Sequence, residues 1–312
     1  MENLLVCVNA LLPIFIIIGA GFLSKTAGLI REEDVPRFNA VCYKVFMPVL
    51  CFYNLYSSDL SVAVRPGLLI FIIVGILITF ALSCLYACRF VSRRDRRGVM
   101  IQGLFRSNFV IMGVPIATRL VGVEELSMIA VSTAVVVPFF NGLAVVALQL
   151  YAGKKTDFKS LVLGILKNPL ILGTAAAFLA ILVRLRLPEP VMSALGDMSK
   201  ASSTVLLFLL GAFFRFNGFE GQGKDLTAAC LGRLVIIPGV ALTIAWFLGF
   251  RGMEFVTLMA LFGAPAAVNS FSMTQQIGGD AALAGNIVVL TSLLTSLTLF
   301  GWSFLFKVLG AY

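Results

Sequence analysis

The sequence predicts an all-α integral membrane protein, with ten transmembrane helices in two inverted five-helix repeats and breaks in the fourth and ninth helices. Three observations predict it. First, of 312 residues, 60% are apolar and 12% charged, with a mean hydropathy of +1.01; soluble domains lie nearer one half and one quarter. Second, the cations cluster on alternate loops. Third, the two halves carry matched features at an offset close to half the chain length. At about 20 residues per crossing, ten spans and short loops consume the chain and leave no stretch for a soluble catalytic domain.

The apolar windows fall at about 3–24, 36–56, 67–88, 99–119, 127–151, 161–183, 190–214, 226–249, 252–277 and 282–307. The first opens with Glu2 and lacks a basic leader and a small-residue cleavage site, so it reads as a retained helix and not a signal peptide. The second holds Lys44, and the seventh holds Asp197 and Lys200. Omitting either would invert every later loop, and charge decides against that. With the N-terminus outside, fifteen cations fall in or beside the cytoplasmic loops, Arg233 among them, against six on the other side. Lys44, Arg106 and Lys200 remain inside spans. Both termini are therefore expected outside. The stretch RFVSRRDRRG reads as a topology anchor in preference to a site for anionic lipid.

Composition also excludes function classes. The net charge of +9 is spent on loops, which argues against nucleic acid. Histidine is absent, removing imidazole acid–base chemistry, Ser–His and Cys–His nucleophiles and histidine metal sites. The six cysteines include no CxxC and read as small buried hydrophobes. No Walker motif or phosphate loop is present, so energy comes from a gradient. No metal and no cofactor are expected.

Internal repetition gives the architecture. LFRSNFVIMGVPIATRLVGVEEL from Leu104 aligns without a gap on LFGAPAAVNSFSMTQQIGGDAAL from Leu261, sharing Leu-Phe at the start, Gly122 with Gly279, and Leu126 with Leu283. Pro13 and Pro169 lie 156 apart, half the chain, as do Lys44 and Lys200. Five spans per half is odd, so two halves of like fold must be inverted, an arrangement that in secondary transporters pairs broken helices at a site mid-membrane. The halves are 1–152 and 161–312.

The breaks carry the polar residues. Pro115 and Pro265 interrupt the fourth and ninth spans, because proline removes a backbone donor and crowds the preceding turn. Freed backbone groups at membrane depth survive only against protein or a wet cavity. Asn108 and Asn269 flank the breaks, with Ser107, Ser270, Ser272, Thr274 and Gln275 near them. An ordinary kink with helix–helix amide bonds would explain one such helix; two at matched positions favour a binding site. Arg106 is costly facing lipid, and with half-helix N-termini beside it the pocket favours an anion, most simply a carboxylate; its competing reading is a side chain snorkelling to the interface. Lys44 has no acid within four residues on its helix. Asp197 is a candidate proton carrier, with a structural ion pair to Lys200 as the equal alternative. Asn141 and the run Thr291, Ser292, Thr295 and Ser296 read as packing contacts.

At these residues the chain resembles the auxin efflux carrier family, which holds the plant PIN-formed auxin exporters and many bacterial organic-acid permeases. The likeness rests on N-x-x-x-x-G-x-P at Asn108, Gly113 and Pro115 and on P-A-A-x-N from Pro265 ending in QQIGGD. Weaker support comes from LLPIFIIIGAGFLSKTAGLIREED, FMPVLCF around Pro48 and LGDMSKASSTVLLFLLGA. The resemblance implies that the broken helices cross at the substrate site. It also implies a scaffold at about 3–56 and 161–214, and a transport domain at about 67–151 and 226–307 moved as an elevator. Lys44 matches a lysine near a support site in some plant members. The chain departs from those members in having no acid in its third span, Ser107 where they carry proline, and a short loop after the fifth span.

The expectation is a secondary carrier of a small organic anion (malate, malonate or an auxin-like acid) in a bacterial cytoplasmic membrane. Its partners are the substrate, membrane lipids and, left open, a proton or sodium ion and a second copy in a homodimer. The rivals are a sodium-coupled carrier of the bile-acid transporter type, which needs an oxygen cluster at the crossover, and an intramembrane enzyme.

Overall fold

The computed structural model describes residues 2–31, 33–58, 65–114, 117, 126–151, 158–214 and 219–312, and every regular element among them is a helix. In chain order these are α1 (Glu2–Thr26), α2 (Val35–Tyr56), α3 (Pro66–Phe90), α4 (Arg94–Phe105), α5 (Leu126–Tyr151), α6 (Phe158–Leu166), α7 (Pro169–Leu182), α8 (Glu189–Phe213), α9 (Gly223–Phe247), α10 (Gly252–Gly263), α11 (Asn269–Ile277) and α12 (Ala281–Val308). Among the described residues, α2, α3, α5, α9 and α12 have both the length and the apolar composition to cross a bilayer. The surface is apolar where a soluble protein would be polar: Ile70, Val74, Ile78, Leu82 and Leu85 of α3 all point outward. Polar side chains such as Gln102, Ser132, Thr257, Asn286 and Thr291 lie inside.

Prolines shape three of the predicted spans. In α2 the ladder widens over Cys42–Phe46, and the Met47 N–H reaches the Cys42 carbonyl; in α9 it widens over Gly232–Ile236, and the Ile237 N–H reaches the Gly232 carbonyl. Pro48 and Pro238 each stand two residues beyond the wide turn. A proline ring crowds the carbonyl one turn back, and a wider turn just before it relieves that crowding without ending the helix. The sixth span, predicted as one run over 161–183, is instead two helices. Asn168 separates them: its side chain accepts from the Leu170 N–H at 3.0 Å, donates to Tyr43 Oη at 2.7 Å, and starts α7 with Pro169 in the first turn. The repeat-related Pro13 sits inside an uninterrupted α1.

Glycines bring helix backbones into contact, as is common where lipid replaces water as solvent. α1 packs along α8 and α2 along α7. A Cβ on Gly211 of α8 would lie 1.9 Å from the Ile18 carbonyl oxygen, one on Gly21 of α1 2.0 Å from that of Phe208, and one on Gly173 of α7 2.4 Å from that of Pro48. Gly211→Ala is therefore expected to lose about 1–3 kcal/mol of stability, as overpacked cores do. The melting midpoint in detergent should fall accordingly; an unchanged midpoint would mean that α1 and α8 separate freely.

One arginine of the basic stretch at the start of α4 is used inside the protein. Arg96, buried, donates through Nε to Asp280 Oδ2 at 2.9 Å, and through one terminal nitrogen to Asp225 Oδ2 at 3.0 Å and the Gly221 carbonyl at 2.8 Å. The N-terminal ends of α4, α9 and α12 are thereby tied together, and Asp280 also accepts from the Leu283 N–H to cap α12. Arg97 donates to the Val91 carbonyl and Arg94 to that of Leu150. The Arg93 hydrogen bond holds the Asp95 carboxyl below the usual carboxylate range.

Candidate functional site

The fourth and ninth predicted spans are both interrupted, and their interruptions meet. α4 ends at Phe105, and Arg106 continues in extended backbone. α10 ends at Gly263, with Ala264 extended as well. Between the two helix ends Ser107 and Ala266 form an antiparallel bridge: the Asn108 N–H donates to the Pro265 carbonyl at 2.8 Å, and the Ala267 N–H donates to that of Arg106 at 3.2 Å. Two interrupted backbone segments thus satisfy one another's N–H and C=O groups. Thr291 of α12 completes the arrangement by accepting from the Ala266 N–H at 3.2 Å.

The break in the fourth span is ahead of the position where the proline would place it. Backbone unwinds at 106–108, and a wide helical turn, Phe109–Gly113, follows with its first carbonyl acceptor at Asn108. Gly113 lies in that turn. A Cβ there would stand 2.7 Å from the Ala260 carbonyl oxygen of α10, so Gly113 lets the two broken helices touch. Pro115 lies outside the described residues. In the ninth span the break contains Pro265, and α11 restarts at Asn269.

Beside the crossover is a small cavity of about 50 Å³, partly open to solvent. Arg106, Ser107, Asn108 and Asn269 line it, as the sequence anticipates. So do Asn141 of α5, which the sequence assigns to packing, and residues it does not single out for the site: Cys51 and Asn54 of α2 and Ser203 of α8. Arg106 does not snorkel. It is 2% exposed and donates to Gln102 Oε1 at 3.2 Å and Asn141 Oδ1 at 2.5 Å, with Met273 Sδ at 2.8 Å. Asn141 in turn donates to Cys51 Sγ at 3.1 Å, so it positions the guanidinium as well as packing helices. No carboxylate lies within 4.0 Å of Arg106 among the described residues. Asn108 Nδ2, Ser107 Oγ and Asn269 Oδ1 are buried without a protein partner.

Other predicted residues fall elsewhere. Ser270 Oγ and Gln275 Oε1 are also buried without a partner, but neither residue lines the cavity, since α11 turns them away from the face that carries Asn269. Lys44 is exposed on the wide turn of α2 and does not line the cavity. Asp197 and Lys200 form an exposed pair at 3.9 Å on α8, away from the cavity lining, which favours the ion-pair alternative. Among the described residues no three of His, Cys, Asp and Glu are grouped to hold a metal ion.

Arg233 is the residue that the sequence reading misplaced. Counted with the cytoplasmic loop cations, it is 1% exposed in the wide turn of α9. Its guanidinium donates to five carbonyls. Nε reaches Ala264 at 2.8 Å; one terminal nitrogen reaches Leu104 at 3.3 Å and Phe105 at 3.4 Å; the other reaches Leu261 at 3.0 Å and Phe262 at 3.1 Å. One side chain therefore caps the C-terminal ends of both α4 and α10. The available signal was its place seven residues inside a predicted span, which should have classed it with Lys44, Arg106 and Lys200.

These features define a multi-pass helical membrane protein with a polar cavity at a crossing of two interrupted helices. Residues 6–303 match the family model described as membrane transport protein, and the chain belongs to that family, the auxin efflux carrier family. It is 25% identical to an uncharacterized transporter of Methanothermobacter thermautotrophicus over 304 residues, 95% of this chain and 97% of the relative. It is 22% identical to an uncharacterized transporter of Methanocaldococcus jannaschii over 315 aligned positions, 94% of this chain and 97% of that one.

Proposed function

We propose that the chain is a secondary carrier of a small organic anion, a carboxylate such as malate, malonate or an auxin-like acid. The observation that carries this reading is Arg106: a buried guanidinium facing a cavity at the helix crossover, with no carboxylate partner among the described residues. A cation taken out of water is stable only when paired or hydrogen-bonded, and a transiting carboxylate completes its shell. Asn108 supplies an unpartnered amide donor beside it, and Asn269 does so by turning its amide over. The N-terminus of α11 adds positive partial charge from the same side.

In this reading ten crossings form two inverted five-helix repeats, and access alternates by an elevator motion. α1, α2, α6, α7 and α8 are the scaffold, and the remaining helices carry the crossover across it. The glycine-tight pairs α1–α8 and α2–α7 support a rigid scaffold. The cavity supports the boundary, since α2 and α8 line one side and α5 with the crossover the other. The cytoplasmic membrane with both termini outside remains the favoured placement, because removing Arg233 from the loop tally leaves the positive bias intact.

Counterflow in proteoliposomes over a panel of carboxylates, with pH and sodium varied, tests the reading. Saturable exchange of at least one carboxylate is expected, and exchange confined to neutral or cationic solutes would overturn it. Because Asp197 is exposed and paired with Lys200, Asp197→Asn should leave the exchange rate and its pH dependence within about twofold of wild type, the range of surface pairs. Loss of pH-driven accumulation in that variant would instead make Asp197 the proton carrier.

A further inference from the structure

Helix C-termini that end inside a membrane expose carbonyl oxygens and the negative end of the helix dipole. In carriers with broken helices, such ends together with unwound carbonyls commonly hold a coupling cation. Here two helices, α4 and α10, end at the same place, and each end carries roughly half a negative charge. Together they amount to about one unit, which one resident cation balances. Arg233 stands there, 1% exposed, and its guanidinium donates to five carbonyls of these two ends. It has no carboxylate within 4.0 Å among the described residues, so the carbonyls are its counter-charge.

We propose that Arg233 is the resident cation of the crossover, occupying the carbonyl cluster that an inorganic cation would otherwise take, and that it makes this protein indifferent to sodium. The geometry suits the role. A guanidinium is planar, keeps its charge at any physiological pH, and presents its donors in a fork that spans two helix ends at once. A sodium ion needs the same oxygens and would be repelled by the charge already among them. Arg233 thus acts as a positioning residue: it fixes the two helix ends against each other, and with their dipoles balanced, Arg106 remains as the uncompensated charge facing the cavity. What is transported rests on the carrier reading above; the occupied carbonyl cluster does not.

The test uses the purified full-length protein in detergent. Melting midpoints are measured in sodium chloride and in N-methylglucamine chloride at equal ionic strength, with methylguanidinium chloride as a third arm. Wild type is expected to show one midpoint in the sodium and N-methylglucamine arms. Arg233→Ala should melt several degrees lower, and sodium or methylguanidinium, but not N-methylglucamine, should recover part of the loss by entering the vacated carbonyl cluster. Arg233→Lys keeps the charge, folds more readily, and should remain indifferent to sodium. A wild-type midpoint that rises specifically with sodium overturns the proposal. So does an Arg233→Ala protein that melts like wild type or responds to neither cation. If Arg233→Ala yields no folded protein, a sodium-stabilised Arg233→Lys overturns it and a sodium-indifferent one supports it. None of these measurements uses a substrate, so failure of every carboxylate in counterflow would sink the carrier reading and leave this proposal to its own result.

Discussion

Arg106→Gln is expected to raise the dissociation constant for the transported carboxylate by about 10- to 150-fold, the equivalent of a charged hydrogen bond worth about 1.5–3 kcal/mol. Glutamine is the informative replacement because it keeps a polar donor near Gln102 Oε1 and Asn141 Oδ1, the present partners of the guanidinium, while removing the charge. The fold should tolerate it: burying a charge is costly, and losing that cost offsets lost hydrogen bonds. Concentration-dependent counterflow gives the apparent affinity, and a melting curve checks the fold. A weakened affinity with a retained midpoint places Arg106 on the substrate. Unchanged affinity would remove it from the site and leave the guanidinium as a structural tie among α4, α5 and α11. Arg106→Lys should fall between, since an ammonium keeps the charge and loses the fork.

The parts of this architecture legible in the sequence are those that hydropathy and small-scale repetition report directly. Helices stand within a few residues of the expected first, second, third, fifth, seventh, eighth and tenth spans, because lipid contact demands apolar length whatever the packing. The meeting of the two interruptions fits the repeat, since 106–108 and the stretch around Pro265 correspond at its offset and their freed backbone groups had to be satisfied by protein. What hydropathy cannot report is rotation and local winding. The wide turns before Pro48 and Pro238 leave the apolar profile unchanged, yet they help decide which side chains face inward. Lys44 sits on one of them and faces outward, while Cys51 and Asn54, further along the same helix, reach the cavity. The interruption at Asn168 is marked in the sequence by Lys167-Asn168-Pro169, a capping residue followed by a first-turn proline, but the apolar residues on both sides of it hide it from hydropathy. Arg233 shows a different failure. A cation near the end of an apolar run is read as interfacial by default, and only the convergence of α4 and α10 creates five carbonyls for it to bind.

Asn108→Ala and Asn269→Ala are each expected to abolish counterflow while leaving the protein as stable as wild type or more so. The direction of the stability effect follows from the hydrogen bonds. Asn108 Nδ2 and Asn269 Oδ1 are buried polar atoms with no partner in the protein, and a group in that state costs about 1–3 kcal/mol relative to one that is bonded. Alanine removes the group and the cost together. A residue retained for packing alone would behave oppositely, losing stability when truncated and leaving transport in proportion to the folded protein. The crossover backbone is unaffected in principle, because the Asn108 N–H bond to the Pro265 carbonyl uses no side-chain atom. Expression, melting midpoint and counterflow on the same preparations therefore separate the two cases. Retained stability with lost exchange identifies amides held in reserve for a ligand, at the expense of the resting protein, a trade common at binding sites. Wild-type exchange in both variants would detach the cavity from transport and return the crossover to a purely structural role.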